Sequence, residues 1–163
     1  ALMPIGARWP MKLVAGPFLP ESEWQQLQEQ ARGYADVTLL RSVPDLAAEM
    51  RRAGMSISQC GYNTAMDIIA SRVPALVVPY AVAREDEQLN RATRLAQLGM
   101  LRTLAPSALG AAQLAEEILA TMPFAPAANG LDLNGAERSA EIIEQLDCAE
   151  RADHRHAEVA YAI

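Results

Sequence analysis

The chain is 163 residues long, 51% hydrophobic and 21% charged, with 5% aromatic residues and a formal net charge of −6. That size suits one folded domain whose core is filled by Ala, Leu, Val and Ile, and the composition lies far from the disordered class. The acidic balance argues against a nucleic-acid partner, because phosphate binding needs a basic face and the largest basic cluster is Arg51-Arg52.

Along the chain, short apolar runs alternate with helical patterns. Lys12-Leu13-Val14-Ala15 reads as a strand, followed by a helix from about Glu21 to Arg32 and a second strand at Val37-Thr38-Leu39-Leu40. A helix from about Pro44 to Ala53 leads to Met55-Ser56-Ile57-Ser58, and one from about Asn63 to Ser71 leads to Ala75-Leu76-Val77-Val78. The next helix, about Asp86 to Leu98, ends at Gly99 before Leu101-Arg102-Thr103-Leu104, and Ser107 is expected to cap a helix running to about Met122. Pro123, Pro126 and Gly130 mark a loop ahead of a last helix, about Asn134 to Leu146. Strands alternating with helices of about three turns imply right-handed crossovers and a doubly wound parallel α/β domain over residues 1–122, with a loop, C-terminal helix and tail over 123–163. Cys60 and Cys148 lie far apart, so no disulfide framework is expected and a reducing cytoplasm fits. The longest apolar stretch, around Val73 to Val82, contains Pro74 and Pro79 and falls well short of the ~20 residues a membrane-spanning helix needs.

The chemistry concentrates between Gln59 and Gln88. In a parallel sheet the strand C-ends share one edge, so the loops after Ile57-Ser58 and Val77-Val78 emerge side by side where ligands bind. Gly61 permits close backbone approach, and the amides of Tyr62, Asn63 and Thr64 form the unpaired first turn of a helix whose partial positive charge favours phosphate. Asn63 or Thr64 can cap that helix or donate to a phosphate oxygen, and both roles stay open. Asp67, about one turn further in, can accept from ribose hydroxyls or simply compensate the helix dipole.

Other constellations carry less. Glu85-Asp86-Glu87 resembles an acidic metal motif but fits the start of a helix better, and His154 and His156 have no cysteine nearby, so no metal site is expected. Neither a Gly-x-Gly-x-x-Gly turn nor a Walker lysine occurs. A serine nucleophile lacks a partner histidine outside the tail.

The segment Gln59-Cys60-Gly61-Tyr62-Asn63-Thr64, then Asp67, Arg72-Val73-Pro74 and Glu87-Gln88, resembles the donor-binding signature of GT-B glycosyltransferases. The plant-type pattern reads His-Cys-Gly-Trp-Asn-Ser, Glu, Gly-Val-Pro, Asp-Gln; the Gly-Tyr-Asn-Thr run, the Glu-Gln pair and Arg91-Ala92 look most like the family 28 bacterial type. The resemblance spans about Met11 to Thr121 and implies a Rossmann-like GT-B C-terminal domain, lacking its first strand, that binds a nucleotide-diphosphate sugar, uridine-linked by family habit, for transfer to an unspecified acceptor without metal or cofactor. It implies diphosphate contacts from Gln59, Gly61, Tyr62, Asn63 and Thr64, ribose contact from Asp67, sugar contacts from Glu87, Gln88 and Arg84, and nucleobase contacts from the backbone of Ser42 and Val43. No residue here is expected to be catalytic. Gln59 stands where plant enzymes carry a histidine, and Asp67 is one methylene shorter than the usual glutamate. The resemblance further places the opening strand, its Gly-rich loop and the acceptor-binding N-terminal domain before Ala1, so the isolated chain is expected to be inactive, with two sheet edges that a second copy could cover. A sugar-nucleotide epimerase or hydrolase of the same fold, and a non-catalytic sugar-nucleotide-binding module, remain alternatives.

Overall fold

In the computed structural model, which describes residues 9–80, 86–128, 130–131 and 133–146, the predicted alternation is present with every strand pair parallel. β1 (Met11–Val14) is followed by α1 (Glu21–Ala31), β2 (Val37–Leu40) and α2 (Leu46–Arg52). Next come β3 (Ser56–Ser58), α3 (Tyr62–Ser71), β4 (Ala75–Val77), α4 (Glu87–Gln97), β5 (Arg102–Thr103) and α5 (Ala111–Thr121). Arg84, Glu85, Cys148, His154 and His156 lie outside the described residues.

The strands form two sheets rather than one, β1-β2 and β3-β4-β5. Parallel ladders use alternate residues on each side. Met11 and Ala15 donate to Asp36 and Leu40, and Ser56 and Ser58 bond the β4 side, so the backbone groups of Lys12 and Val14 in β1 and of Ile57 in β3 point toward edges without a ladder partner among the described residues.

Around β4 the core follows strand alternation. Ala75 and Val77, both fully buried, belong to a cluster with Ala65, Ile68 and Ile69 of α3 and Ala92 and Leu95 of α4, whereas Leu76 packs with Leu104 and with Ile118 of α5. Helices therefore cover both faces of this strand, which explains its unbroken apolar run. An Arg102–Glu117 ion pair at 2.8 Å ties β5 to α5.

Two local expectations are corrected. Ser107 lies inside a short 3-10 turn, Pro106–Ala108, and α5 starts only after Gly110, whose extended backbone (φ −131, ψ 163) separates the two. Pro106 fixes a tight turn that does not run on into the helix. The helix expected from Pro44 begins at Leu46, because Asp45 adopts the extended cap conformation and its carboxylate accepts from the Ala48 N–H at 2.8 Å.

α4 ends on Gly99 (φ +68), with the Met100 N–H returning to the Leu95 carbonyl, a left-handed helix stop that glycine adopts without strain. Arg72 closes α3 in the same left-handed region (φ 55), at the position where the plant-type pattern has glycine. The chain divides into two units, Ala1–Asn129 and Gly130–Ile163. Much of the loop expected from Pro123 stays with the first unit, the Ala127 N–H donating to the Gly99 carbonyl. Within the second unit residues 135–146 are helical, with an Arg138–Glu141 ion pair along that helix.

Candidate functional site

The turn Gln59–Gly61 leaves the C-end of β3 and enters α3 at Tyr62. Gly61 is the N-cap, no side chain caps the helix, and the first helical bond runs from the Ala65 N–H to the Gly61 carbonyl. The N–H groups of Tyr62, Asn63 and Thr64 are thus left without helical acceptors, and neither Asn63 nor Thr64 takes the capping role. Gly61 has an ordinary backbone conformation (φ −59, ψ 157), so no conformational need selects glycine. A Cβ added there would meet nothing within 4 Å; the backbone faces open space.

What holds this turn is α4. The Gln88 side-chain carbonyl accepts from the Cys60 N–H and from the Tyr80 N–H, each at 3.1 Å, joining the loops after β3 and β4. This uses the acceptor end of Gln88 and leaves its amide N–H2 as the end able to meet a ligand. Arg91, one helical turn after Glu87, donates from Nη1 to the Cys60 carbonyl at 2.7 Å, pairs with Glu87 through Nη2, and lies over the Tyr62 ring, 5.7 Å from its centroid. Cys60 is fully buried, and that burial pushes its thiol pKa up, opposed only in part by the Arg91 charge.

Asp67 sits on α3 in a half-buried position. Burial, and secondarily the negative charge of Asp45, raise its carboxyl above the ordinary aspartate value. Asp45, the cap of α2, follows Ser42 and Val43 in the same loop, and α2 packs against α3, the helix that carries Asp67. Gln59 is exposed at the mouth of the turn. The candidates Gln59, Gly61, Tyr62, Asn63, Thr64, Glu87 and Gln88 thus cluster around one turn, with Asp67 further along α3 and Ser42 and Val43 in the loop before α2; Arg84 falls outside the described residues. Three participants were missed as site residues: Arg91, Asp45 and Tyr80. The Glu87–Arg91 spacing of four and the Pro44-Asp45 helix start were readable signals for the first two, whereas the Tyr80 N–H bond depends on tertiary packing alone. Among the described residues no group of three His, Cys, Asp or Glu side chains could hold a metal ion, and no helix is long and apolar enough to cross a membrane.

The parallel doubly wound architecture is Rossmann-like, and the comparisons with known proteins identify it as a GT-B-type glycosyltransferase C-terminal domain. Its likeness to solved structures supports the class: Acinetobacter baumannii MurG (TM-score 0.53, 25% identity, 60% of this chain and 30% of that one) and the glycotransferase of kitacinnamycin (TM-score 0.58, 19% identity, 90% and 34%), the latter for the fold alone. More narrowly, the chain belongs to the glycosyltransferase family 28 C-terminal domain family, which it matches over residues 19–146. It is 32% identical over 109 residues to the UDP-N-acetylglucosamine--N-acetylmuramyl-(pentapeptide) pyrophosphoryl-undecaprenol N-acetylglucosamine transferase of Synechocystis sp., covering 61% of this chain and 30% of that protein. The protein of the same description from Synechococcus elongatus is 29% identical over 116 residues, covering 71% of this chain and 32% of its own length. The chain therefore spans about a third of the length of these relatives.

Proposed function

We propose that this chain binds the nucleoside diphosphate of a sugar donor and serves as the donor half of a glycosyltransferase. The observation that carries the reading is the uncapped start of α3: three unpaired N–H groups beside a glycine with open space over it. Donors fixed in place before the reaction, aimed where charge develops on a departing diphosphate, stabilise the transition state without reorganising. Asp67 accepts from the ribose hydroxyls, the Ser42–Val43 backbone meets the base, and Glu87 with the free amide of Gln88 contacts the sugar. Gln59 adds a neutral donor at the diphosphate. The relatives' descriptions name UDP-N-acetylglucosamine, which makes a uridine-linked donor the first to try. The acceptor and the group that removes its proton belong to parts of the full-length transferase outside this chain, which works in the cytoplasm.

Isothermal titration of the chain with uridine, thymidine and guanosine diphosphates tests the reading. Saturable binding of uridine diphosphate at or below about millimolar concentration is expected, weakened roughly tenfold by Asp67→Ala through loss of the ribose hydrogen bonds. No binding of any of the three would overturn the assignment.

A further inference from the structure

Two side chains of α4, one turn of sequence apart, grip the backbone of a single residue, Cys60, through the two peptide units that flank it. Gln88 takes the Cys60 N–H and Arg91 takes the Cys60 carbonyl, at 3.1 and 2.7 Å. A solvated Glu87–Arg91 pair would be ordinary helix-surface chemistry worth a few tenths of a kcal/mol. Here, however, the arginine side chain is only 17% exposed while that of Glu87 is 80% exposed, so the guanidinium is turned inward onto the turn.

The peptide bond explains why that matters. No cis peptide occurs among the described residues, so the Cys60 carbonyl and the Gly61 N–H point in opposite directions across one plane. Holding the carbonyl against Arg91 therefore fixes the Gly61 N–H facing away from α4, next to the three free N–H groups of Tyr62, Asn63 and Thr64. The same guanidinium lies over the Tyr62 ring, the first residue of α3, and holds the Glu87 carboxylate. Three constraints converge on one group: the orientation of the turn, the aromatic ring beside it, and the acid on the expected sugar side.

We infer that Arg91 is a positioning residue of the donor site, one that sets the Gly61 N–H for the diphosphate and couples the phosphate turn to Glu87. This rests on the donor reading above. Its positive charge sits behind the turn, where it also favours an anion in front of it, a contribution the neutral Gln59 cannot make. Lysine cannot replace it fully, since one ammonium does not reach the carbonyl, the carboxylate and the ring face in a planar fork.

The test compares uridine diphosphate with uridine monophosphate on the whole chain, for wild type, Arg91→Met and Arg91→Lys, with thermal unfolding to establish that each variant folds. A residue that only supports the fold lowers Tm and leaves the diphosphate-to-monophosphate affinity ratio alone. A positioning residue moves that ratio. Arg91→Met is expected to weaken uridine diphosphate about tenfold or more, as for loss of a charge-assisted contact, with the monophosphate affected less and Arg91→Lys falling between. In a ¹⁵N spectrum the Gly61 amide should shift on adding uridine diphosphate to wild type and shift much less in the variants. Should Arg91→Met fail to fold, Arg91→Lys carries the same two readouts. An unchanged ratio and an unchanged Gly61 response in a folded variant overturn the inference while leaving the donor reading standing. A wild-type chain that binds neither nucleotide removes the donor reading and this inference together.

Discussion

The two sheets of this domain differ sharply. Around β3-β4-β5, Cys60, Ala65, Ala75, Leu76, Val77 and Ala92 are all 0% exposed, whereas no residue of β1, α1 or β2 is buried among the described residues. The helix α1 carries no buried residue at all, and Arg41, just after β2, pairs with Glu21, donates to the Leu19 carbonyl at 3.0 Å and stacks 5.1 Å from the Trp24 centroid. β4 is flanked by a strand on each side and by helices on each face, while β1 has one strand neighbour and an open edge among the described residues. Burial here follows position in the sheet as well as hydrophobic content, since Met11-Lys12-Leu13-Val14, with three apolar residues of four, buries none of them, whereas Ala75-Leu76-Val77 is buried throughout. The expected ligand site spans both regions. Its phosphate turn leaves the packed sheet and its Ser42–Val43 loop leaves the open one.

The largest test of that contrast removes one leucine from each. Leu76→Ala should cost about 3 kcal/mol, as truncations in a closed core do, whereas Leu13→Ala should cost about 1 kcal/mol or less. Denaturant titration reads both. Equal losses would show that the two sheets share one core, and the contrast would fall.

Much of this was legible from sequence because its causes are local. Strand and helix periods, the turn at Gly61 and the stop at Gly99 each depend on a few adjacent residues. The clamp was not legible for the opposite reason: Gln88 and Arg91 reach Cys60 across 28 and 31 positions, and no periodicity records where a side-chain carbonyl will point. Gln88 accordingly combines an expected ligand contact with a clamp that sequence reasoning did not foresee. Ser107 was misread because serine before a helical pattern is a strong cap signal, and Pro106 and Gly110 together outweighed it.

A smaller effect is expected where the two regions meet, at Asp67 and Asp45. A carboxyl whose folded pKa is raised is favoured protonated, so its contribution to stability is full below the ordinary aspartate pKa and is lost as pH rises through the raised value. At neutral pH the Asp67 charge therefore works against folding. Asp67→Asn should raise Tm measurably at pH 8, with the advantage vanishing near pH 3, and should weaken uridine diphosphate roughly tenfold if the ribose contact is real. Opposite signs for stability and binding are what a functional carboxylate predicts. A variant less stable than wild type at pH 8 would instead mean that the charge is satisfied by groups not yet identified.

The smallest effect concerns the contact that joins β1 to α2. Lys12 Nζ lies 2.5 Å from Glu49, which also pairs with Arg52, and the hydrogen bond from Lys12 holds the Glu49 carboxyl below its usual range. A lowered folded pKa gives stability that is present above the ordinary glutamate value and is lost as pH falls through the lowered one. Because the pair is solvated, Lys12→Met should shift the unfolding midpoint only slightly at pH 7, less so in high salt, and not at all once Glu49 is protonated. The open region should feel the change where global stability does not. Amide exchange at Leu13 and Ala15, whose N–H groups bond to β2, should quicken in Lys12→Met while exchange across β4 stays unchanged. If β4 amides quicken equally, the two sheets open as one unit, and their difference in burial has no counterpart in cooperativity.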